Sequence, residues 1–356
     1  MRTILMLTTG GTIASRQTED GLVPGDIRTA LFDKLAVLAG ACEVTIETVF
    51  TKDSSNIVPS DWEQLAQAIR NGLPDHDGIV VLHGTDTMSY SAAMLSYLFI
   101  GVEKPIVLTG SQLPMEQAES DGPANLIDAV ITASDPRLAG VFVVFHDKIM
   151  NGTRTYKRSS VDLDAYISCN YPYVGVIKDQ RVYLTEEYAN LHQPLSESAK
   201  RLLERMKSHS EEEQNRKIQI FLLKMTPGFH AGLLDYLEQE QYQGIVIEGF
   251  GLGGIPVADK ALTDKLTALI RKGIPVVMAT QCVYDGVNLH TYEVGVLANR
   301  LGMISAYDMT SEAVYTKLMW ILSMTGEPEL VREALETDFC GEISRLPALE
   351  QRKEKS

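Results

Sequence analysis

The chain has 356 residues, carries 32 Lys and Arg against 47 Asp and Glu, and has a formal charge of −15. At about 150 residues per domain this length predicts two domains or one large one, with enough chain to bury a sizeable core. The acidity opposes phosphate backbones, so no nucleic acid is expected as a partner, and 45% hydrophobic with 22% charged residues excludes a disordered chain. Cys42, Cys169, Cys282 and Cys340 are too dispersed for a CxxC pair or a metal-type spacing, so neither a disulfide framework nor a metal site is expected. The apolar run at 4–7 is too short for a signal segment, and no run of about 18 apolar residues follows, so no membrane is expected and the location reads as cytoplasmic.

Short apolar runs alternate with helix-period stretches along the chain, as in parallel βαβ units. Residues 4–7 read as the first strand. Residues 61–71 then read as an amphipathic helix with Ser60 as its N-cap. Strand 78–82, helix 91–99, strand 105–108, helix 122–134 and strand 140–145 follow, and later strands are expected at 218–223, 244–247 and 275–279. Each strand run is almost continuous Val, Ile and Leu, as in strands buried on both faces. The first four are expected to share one open sheet and the last three a second. Pro194 and the mixed-charge run 208–217 mark a boundary between them. The expected fold class is therefore α/β, with a domain at 1–186, a linker at 187–216 and a second domain at 217–356. The tail 350–356 is expected to fray.

In an open α/β sheet, ligands bind beyond the carboxyl ends of the strands. The first strand runs into Thr8-Thr9-Gly10-Gly11-Thr12, where paired glycines permit a tight turn and present Thr12. An ordinary Gly-Gly turn satisfied by its own threonines accounts for that segment equally well. The next run ends in His83-Gly84-Thr85-Asp86-Thr87-Met88, which brings two hydroxyls and a carboxylate out of a buried strand together. By itself, Asp86 has the commoner use of a helix N-cap, and His83 reads as a packed strand-end histidine rather than a base. Asp53-Ser54-Ser55-Asn56 and Arg154-Thr155-Tyr156-Lys157-Arg158 are two further polar clusters, each equally readable as a solvated loop. No Gly-x-Ser-x-Gly elbow and no P-loop occurs. Gly249-Phe250-Gly251-Leu252-Gly253-Gly254 matches G-x-G-x-x-G, but it lies outside the first βα turn and the following strand does not end in an acid, which argues against a dinucleotide.

Thr9-Gly10-Gly11-Thr12-Ile13-Ala14 and His83-Gly84-Thr85-Asp86-Thr87-Met88 together resemble the two signature segments of the bacterial-type L-asparaginase family. Segments 104–111, 120–126 and 308–313 resemble it as well, so the likeness covers nearly the whole chain. Thr280-Gln281-Cys282 and the short N-terminus are similar to the cytoplasmic type I branch. The resemblance implies a larger N-terminal catalytic α/β domain and a smaller flavodoxin-like C-terminal one. It also implies hydrolysis of the L-asparagine side-chain amide without a cofactor, through an acyl-enzyme on a threonine. Carried over by position, Thr12 matches the nucleophile, and Thr85, Asp86 and Lys157 match the second polar triad. Ser54 matches the residue holding the substrate α-carboxylate, Asp86 also takes the α-ammonium, and Asp53, Ser55 and Ser111 complete the substrate pocket. A small-molecule amide, L-asparagine or secondarily L-glutamine, is the implied partner, with a homodimer or homotetramer as the implied assembly.

Two positions depart from that pattern. Family members place a Tyr in the loop after the first signature, whereas this chain has Leu22 there and no Tyr before Tyr90. Some type I relatives bind a second asparagine with an Arg and a Thr at positions that here look like Glu248 and Tyr156, although Thr280 and Cys282 are kept. A carboxylate effector facing Glu248 meets like charge, so no allosteric site is expected. Two other readings stay open on the residues: the amidase subunit of tRNA-dependent glutamine synthesis, and a low-activity amino-acid-binding homologue.

Overall fold

A computed structural model describes residues 1–11, 15–18, 21–24, 42–191, 194–210, 218–289 and 293–344. The chain divides into two compact units, Met1–Gln193 and Pro194–Ser356. Helices Glu186–Leu191 and Glu197–Ser210 occupy much of the stretch expected as a linker, and the division falls between them. The second of these helices forms because Ala199, Leu202 and Met206 recur on one face and are buried.

The first unit is built on an eight-stranded sheet. In spatial order its strands are Arg181–Leu184, Gly175–Lys178, Lys148–Asn151, Gly140–Phe145, Pro105–Thr109, Gly78–Leu82, Arg2–Gly10 and Cys42–Lys52. The last five of these are parallel, and the first three extend the sheet through antiparallel pairings. Both faces are covered, which is why the central strands read as unbroken apolar runs. Ile4 and Met6 join Leu126, Ala129 and Val130 of helix Gly122–Ala133 on one side. Leu5 and Leu7 join Leu65 and Ile69 of helix Pro59–Gly72 and Ala92 and Leu95 of helix Met88–Leu98 on the other.

Strand Cys42–Lys52 has no counterpart in the expected runs. It is the sheet's edge, so Val44 and Ile46 pack inward while Glu43, Thr45 and Glu47 alternate outward, and no continuous run exists to be read. The helix expected from residue 61 begins at Pro59, with Val58 rather than Ser60 as the cap residue. Pro59 supplies the preset φ of a first helical position. The Asp61 carboxylate then accepts the Val58 N–H at 2.9 Å, and also Lys52 Nζ at 2.6 Å, fastening the helix to the end of the edge strand.

The second unit carries four parallel strands in sequential order, Ile220–Lys224, Gly244–Gly249, Val276–Thr280 and Ile304–Ser305. Its apolar core gathers Ile245, Ile247, Leu262, Leu266 and Met278. After strand Gly244–Gly249 the chain closes into a tight turn in which Phe250 and Gly254 exchange N–H···O bonds of 2.8 and 2.7 Å. Those amides are spent on each other and the next helix starts only at Lys260, so this glycine segment lacks the helix N-terminus a pyrophosphate fingerprint requires.

One buried acid makes stability depend on pH. Asp128, in helix Gly122–Ala133, is pushed from an ordinary 3.8 up to about 7 by burial and by the neighbouring Asp147 carboxylate. The folded chain therefore holds a proton that the unfolded chain releases, so this contribution is full below about pH 4, falls as pH rises toward 7 and is absent above it. Asp128→Asn is expected to narrow the difference in melting temperature between pH 5 and pH 8, read by calorimetry at both. An unchanged difference would exclude Asp128 as its source.

Candidate active site

Within the first unit, five polar segments converge, four of them at the carboxyl ends of parallel strands. Gly10 and Gly11 end strand Arg2–Gly10 with φ of 101° and 84°, values in the left-handed region. A Cβ on Gly11 would lie 2.4 Å from Gly84 Cα, so the two signature loops touch backbone to backbone. A Cβ on Gly84 would lie 2.6 Å from Ser54 Cβ and Oγ and 3.2 Å from Gly11 Cα, so the third loop packs against the same point.

Asp53 caps the short 3-10 turn Ser54–Asn56, accepting the Ser55 N–H at 2.9 Å and the Ser55 hydroxyl. The Ser55 hydroxyl and then its N–H hold the Asp53 carboxyl below the usual carboxylate range. Ser54 is buried, and its Oγ accepts the Asp86 N–H at 3.2 Å. Thr87 donates its hydroxyl to Ser54 O at 2.7 Å, so the Ser54 and Thr85–Thr87 segments are tied at two points. Ser111 follows strand Pro105–Thr109, is buried, and donates to Leu113 O at 2.7 Å. Its loop is held from below by Asp121, which accepts the Gln112 N–H at 3.0 Å and the Leu113 N–H at 3.1 Å. Asn125 adds a bond to Gly110 O at 3.0 Å.

Lys157 comes from a separate antiparallel pair, Thr155–Lys157 with Tyr166–Ser168. Its Nζ donates to Thr85 Oγ1 at 2.8 Å and to Asp86 Oδ1 at 2.6 Å. Only 16% of the Lys157 side chain is exposed against 60% for Asp86, so the cation is largely withdrawn from water while one carboxylate oxygen faces outward. Asp86 is not a cap, because Thr87 holds the N-cap position of helix Met88–Leu98.

Sequence reasoning missed several supports. Tyr166, opposite Lys157 in the pair, donates its hydroxyl to Thr85 O, and nothing local in the sequence signals a cross-strand partner. Asp121 and Asn125 fall in a segment whose likeness to the family was legible, although their loop-holding bonds were not. His83 is buried as read, with Nδ1 2.7 Å from Gly84 O and Nε2 2.9 Å from Ser91 Oγ. Thr12 lies outside the described residues, and Leu22 is described only as the backbone partner of Gln17 in a short hairpin.

Of the positions linked to effector binding, Tyr156 is next to Lys157 in the first unit, whereas Glu248, Thr280 and Cys282 belong to the second. Glu248 accepts the Ser311 hydroxyl and sits 3.8 Å from Lys224 Nζ. Thr280 donates to Gly251 O and accepts the Cys282 N–H at 3.0 Å, and Tyr156 pairs with Ile167.

Among known proteins, the model of the asparaginase N-terminal domain matches residues 3–190, and that of the glutaminase/asparaginase C-terminal domain matches 219–335. An L-asparaginase of Thermococcus kodakarensis is 37% identical, over 96% of this chain and 99% of its own. The solved thermostable L-asparaginase from that organism superposes with a TM-score of 0.84 at 34% identity, covering 97% of this chain and 100% of its own. A probable cytoplasmic L-asparaginase from Campylobacter jejuni gives a TM-score of 0.78 at 27% identity, covering 95% and 100%. A glutamyl-tRNA(Gln) amidotransferase component of Pyrococcus abyssi is 33% identical over 96% of this chain but 76% of its own. With both family models matched in order along a two-unit α/β chain, the protein belongs to the asparaginase family, on the side of its cytoplasmic type I members.

Proposed function

We propose that the protein hydrolyses the side-chain amide of L-asparagine to L-aspartate and ammonia through an acyl-enzyme on Thr12. The observation that carries this reading is the contact of Lys157 Nζ with both Thr85 Oγ1 and Asp86 Oδ1 beside the Gly10–Gly11 turn. A threonine hydroxyl is a weak nucleophile and needs a base or a strong local field. A largely dry Lys157 bonded to a hydroxyl and a carboxylate supplies both a proton path and that field. In the first half-reaction the Thr12 Oγ–carbonyl bond forms, the C–N bond breaks, and the hydroxyl proton leaves with ammonia. Water then cleaves the ester and returns the proton to Thr12.

The substrate's α-groups have partners. The Ser54 Oγ already accepts the Asp86 N–H, so its own proton is available to an α-carboxylate, and the outward oxygen of Asp86 is available to an α-ammonium. Likeness to the Pyrococcus abyssi amidotransferase component keeps an amidase role with glutamine as the second reading, which the charge of −15 opposes where tRNA must be approached. Cytoplasmic action is part of the proposal. Its support is the likeness to the Campylobacter jejuni protein and the lack of any helix among the described residues long and apolar enough to cross a membrane.

Steady-state ammonia release is expected from L-asparagine. Thr12→Ala is expected to reduce kcat by about 10³-fold or more and Lys157→Met by about 10²-fold or more, with folding intact. Wild-type kcat in either variant removes that residue from the mechanism. A wild type active on L-glutamine alone favours the amidotransferase reading, and one inactive on both favours a binding protein.

The proposal includes assembly as a dimer or a dimer of dimers. Phe250 and Tyr284, 38% and 60% exposed, flank the glycine turn and the end of strand Val276–Thr280, leaving aromatic surface to cover. Light scattering is expected to give twice or four times the mass of one chain, and an active monomer overturns this part.

With Glu248 engaged by Ser311 and near Lys224, an amino-acid effector carboxylate meets like charge at that position. Without differential binding between two states there is no cooperativity, so the asparagine saturation curve is expected to be hyperbolic. A Hill coefficient clearly above one that Thr280→Ala abolishes would establish the opposite.

A further inference from the structure

A backbone amide stabilises developing negative charge only when its N–H is both aimed and unspent. Of the two signature loops, the first gives its Gly11 N–H to Lys52 O at 3.1 Å, whereas the Thr85 N–H meets no acceptor among the described residues. The carbonyl of that same peptide, Gly84 O, lies 2.7 Å from His83 Nδ1. No described peptide is cis, so the C=O and N–H of the Gly84–Thr85 peptide point in opposite directions. Anchoring the carbonyl on the buried ring therefore fixes the N–H pointing away from that ring. Gly84 offers no side chain to resist rotation of this peptide, so the bond to its oxygen adds a restraint that the residue itself does not supply.

The anchor belongs to a chain of hydrogen bonds whose direction is fixed at both ends. Trp62 Nε1–H can only donate, and it reaches Ser91 Oγ at 2.8 Å. Gly84 O can only accept. Ser91 therefore donates to His83 Nε2 across 2.9 Å, and the ring proton sits on Nδ1 and donates to Gly84 O. A second ring proton would turn Nε2 into a donor and deprive the Ser91 hydroxyl of this acceptor. Burial also pushes the imidazole pKa down, which keeps the ring neutral. Ser91 lies in the first turn of helix Met88–Leu98 and Trp62 in helix Pro59–Gly72, so two helices set the ring.

We propose that His83 is a positioning residue for the amide hydrolysis, holding the Gly84 carbonyl as its Nδ1-protonated tautomer so that the Thr85 N–H is aimed at the oxygen of the substrate amide. This rests on the asparaginase reading of the site. His83 touches neither substrate nor reacting atoms. It acts through the peptide it clamps, and its loss falls on the transition state, where the oxygen is charged, more than on the bound amide.

The test compares His83→Asn, whose amide nitrogen falls near the place of Nδ1, with His83→Gln, whose amide nitrogen falls near that of Nε2. Only the first keeps a donor for Gly84 O. Because removing one oxyanion donor lowers kcat by about 10²–10³-fold, His83→Gln is expected to lose about 10²-fold in kcat with KM within about threefold, and His83→Asn to recover at least about tenfold of that loss. Equal kcat in the two variants, or a loss carried by KM alone, overturns the proposal. A measurement on the wild-type chain stands beside these. With ¹⁵N-labelled histidine, the ring in contact with Ser91 and Trp62 is expected to keep Nδ1 protonated and Nε2 bare from roughly pH 5 to 8, where free imidazoles titrate. A ring that titrates in that range, or carries its proton on Nε2, also overturns it. A wild type releasing no ammonia from either amide defeats the asparaginase reading and with it the catalytic role, while the labelled ring separately decides whether the anchor exists.

Discussion

The site depends on a contact between two stretches of bare backbone. Strands Arg2–Gly10 and Gly78–Leu82 are parallel neighbours in register from Ile4 opposite Gly78 to Thr8 opposite Leu82, so the two segments leave the sheet side by side. Their loops can then meet only if neither carries a side chain at the crossing, because a Cβ on Gly11 would sit 2.4 Å from Gly84 Cα. Any larger residue at either position pushes the Gly10–Gly11 turn away from the Thr85 segment, and on the proposed reading a misplacement of reacting groups by about 1 Å is enough to cost orders of magnitude in rate. Ser54 closes the third side against Gly84, and Lys52 anchors the first turn by accepting the Gly11 N–H. Sheet order thus becomes loop adjacency, and loop adjacency becomes chemistry.

The legible parts of the fold are those where one residue type carries the signal. Strands buried on both faces appear as runs of Val, Ile and Leu, as in Gly78–Leu82, whereas the edge strand Cys42–Lys52 alternates and so hides among amphipathic patterns. Ser60 reads as a cap because its hydroxyl is the obvious local acceptor, while the structure uses Asp61 reaching back to Val58 after Pro59. At the site, residues that leave a central strand directly, such as Thr85 and Asp86, are visible as a polar cluster after an apolar run. Lys157 lies in a polar cluster equally readable as a solvated loop, and it arrives on an antiparallel pair whose partners are nine or more residues away, so only likeness to a family singles it out. Tyr166 needs that same pairing to be known first. His83 reads as packed, and burial bears that reading out, but its place in a directed hydrogen-bond chain depends on Trp62 and Ser91 from two helices.

The second unit uses charge in its interior for a different end. Lys317 and Glu342 are both fully buried and paired at 2.7 Å. The lysine also donates to Leu335 O and Thr337 O, at the carbonyl end of helix Pro328–Leu335, where a cation is favoured. Glu342 accepts the Phe339 and Cys340 N–H groups, so the turn after that helix is stitched to helix Ser311–Leu322 through one ion pair. Next to it Asp338 is raised to about 7 by burial and by Glu342, while Glu342 is held down by Lys317 and by its donors, so one shared proton and one cation leave the cluster near neutral. Such a pair gains little over apolar packing, but leaving either charge alone in the interior costs several kcal/mol, so it fixes a single arrangement of the chain.

Charge at the site is arranged the opposite way, across the boundary with water. Lys157 is mostly buried and Asp86 mostly exposed, so their attraction is screened from one side only. On the proposed reading, a free amino acid completes the enclosure itself: its ammonium covers the outward oxygen of Asp86 and its carboxylate takes the Ser54 proton. Excluding water there strengthens the field of Lys157 on Thr85 at the moment the side-chain amide comes within reach. A peptide-bound asparagine lacks both free α-groups and would leave Asp86 solvated and Ser54 unused. On that reading the same two contacts that place the substrate also raise the reactivity of the group beside it, which would tie selectivity for a free amino acid to the rate of its hydrolysis.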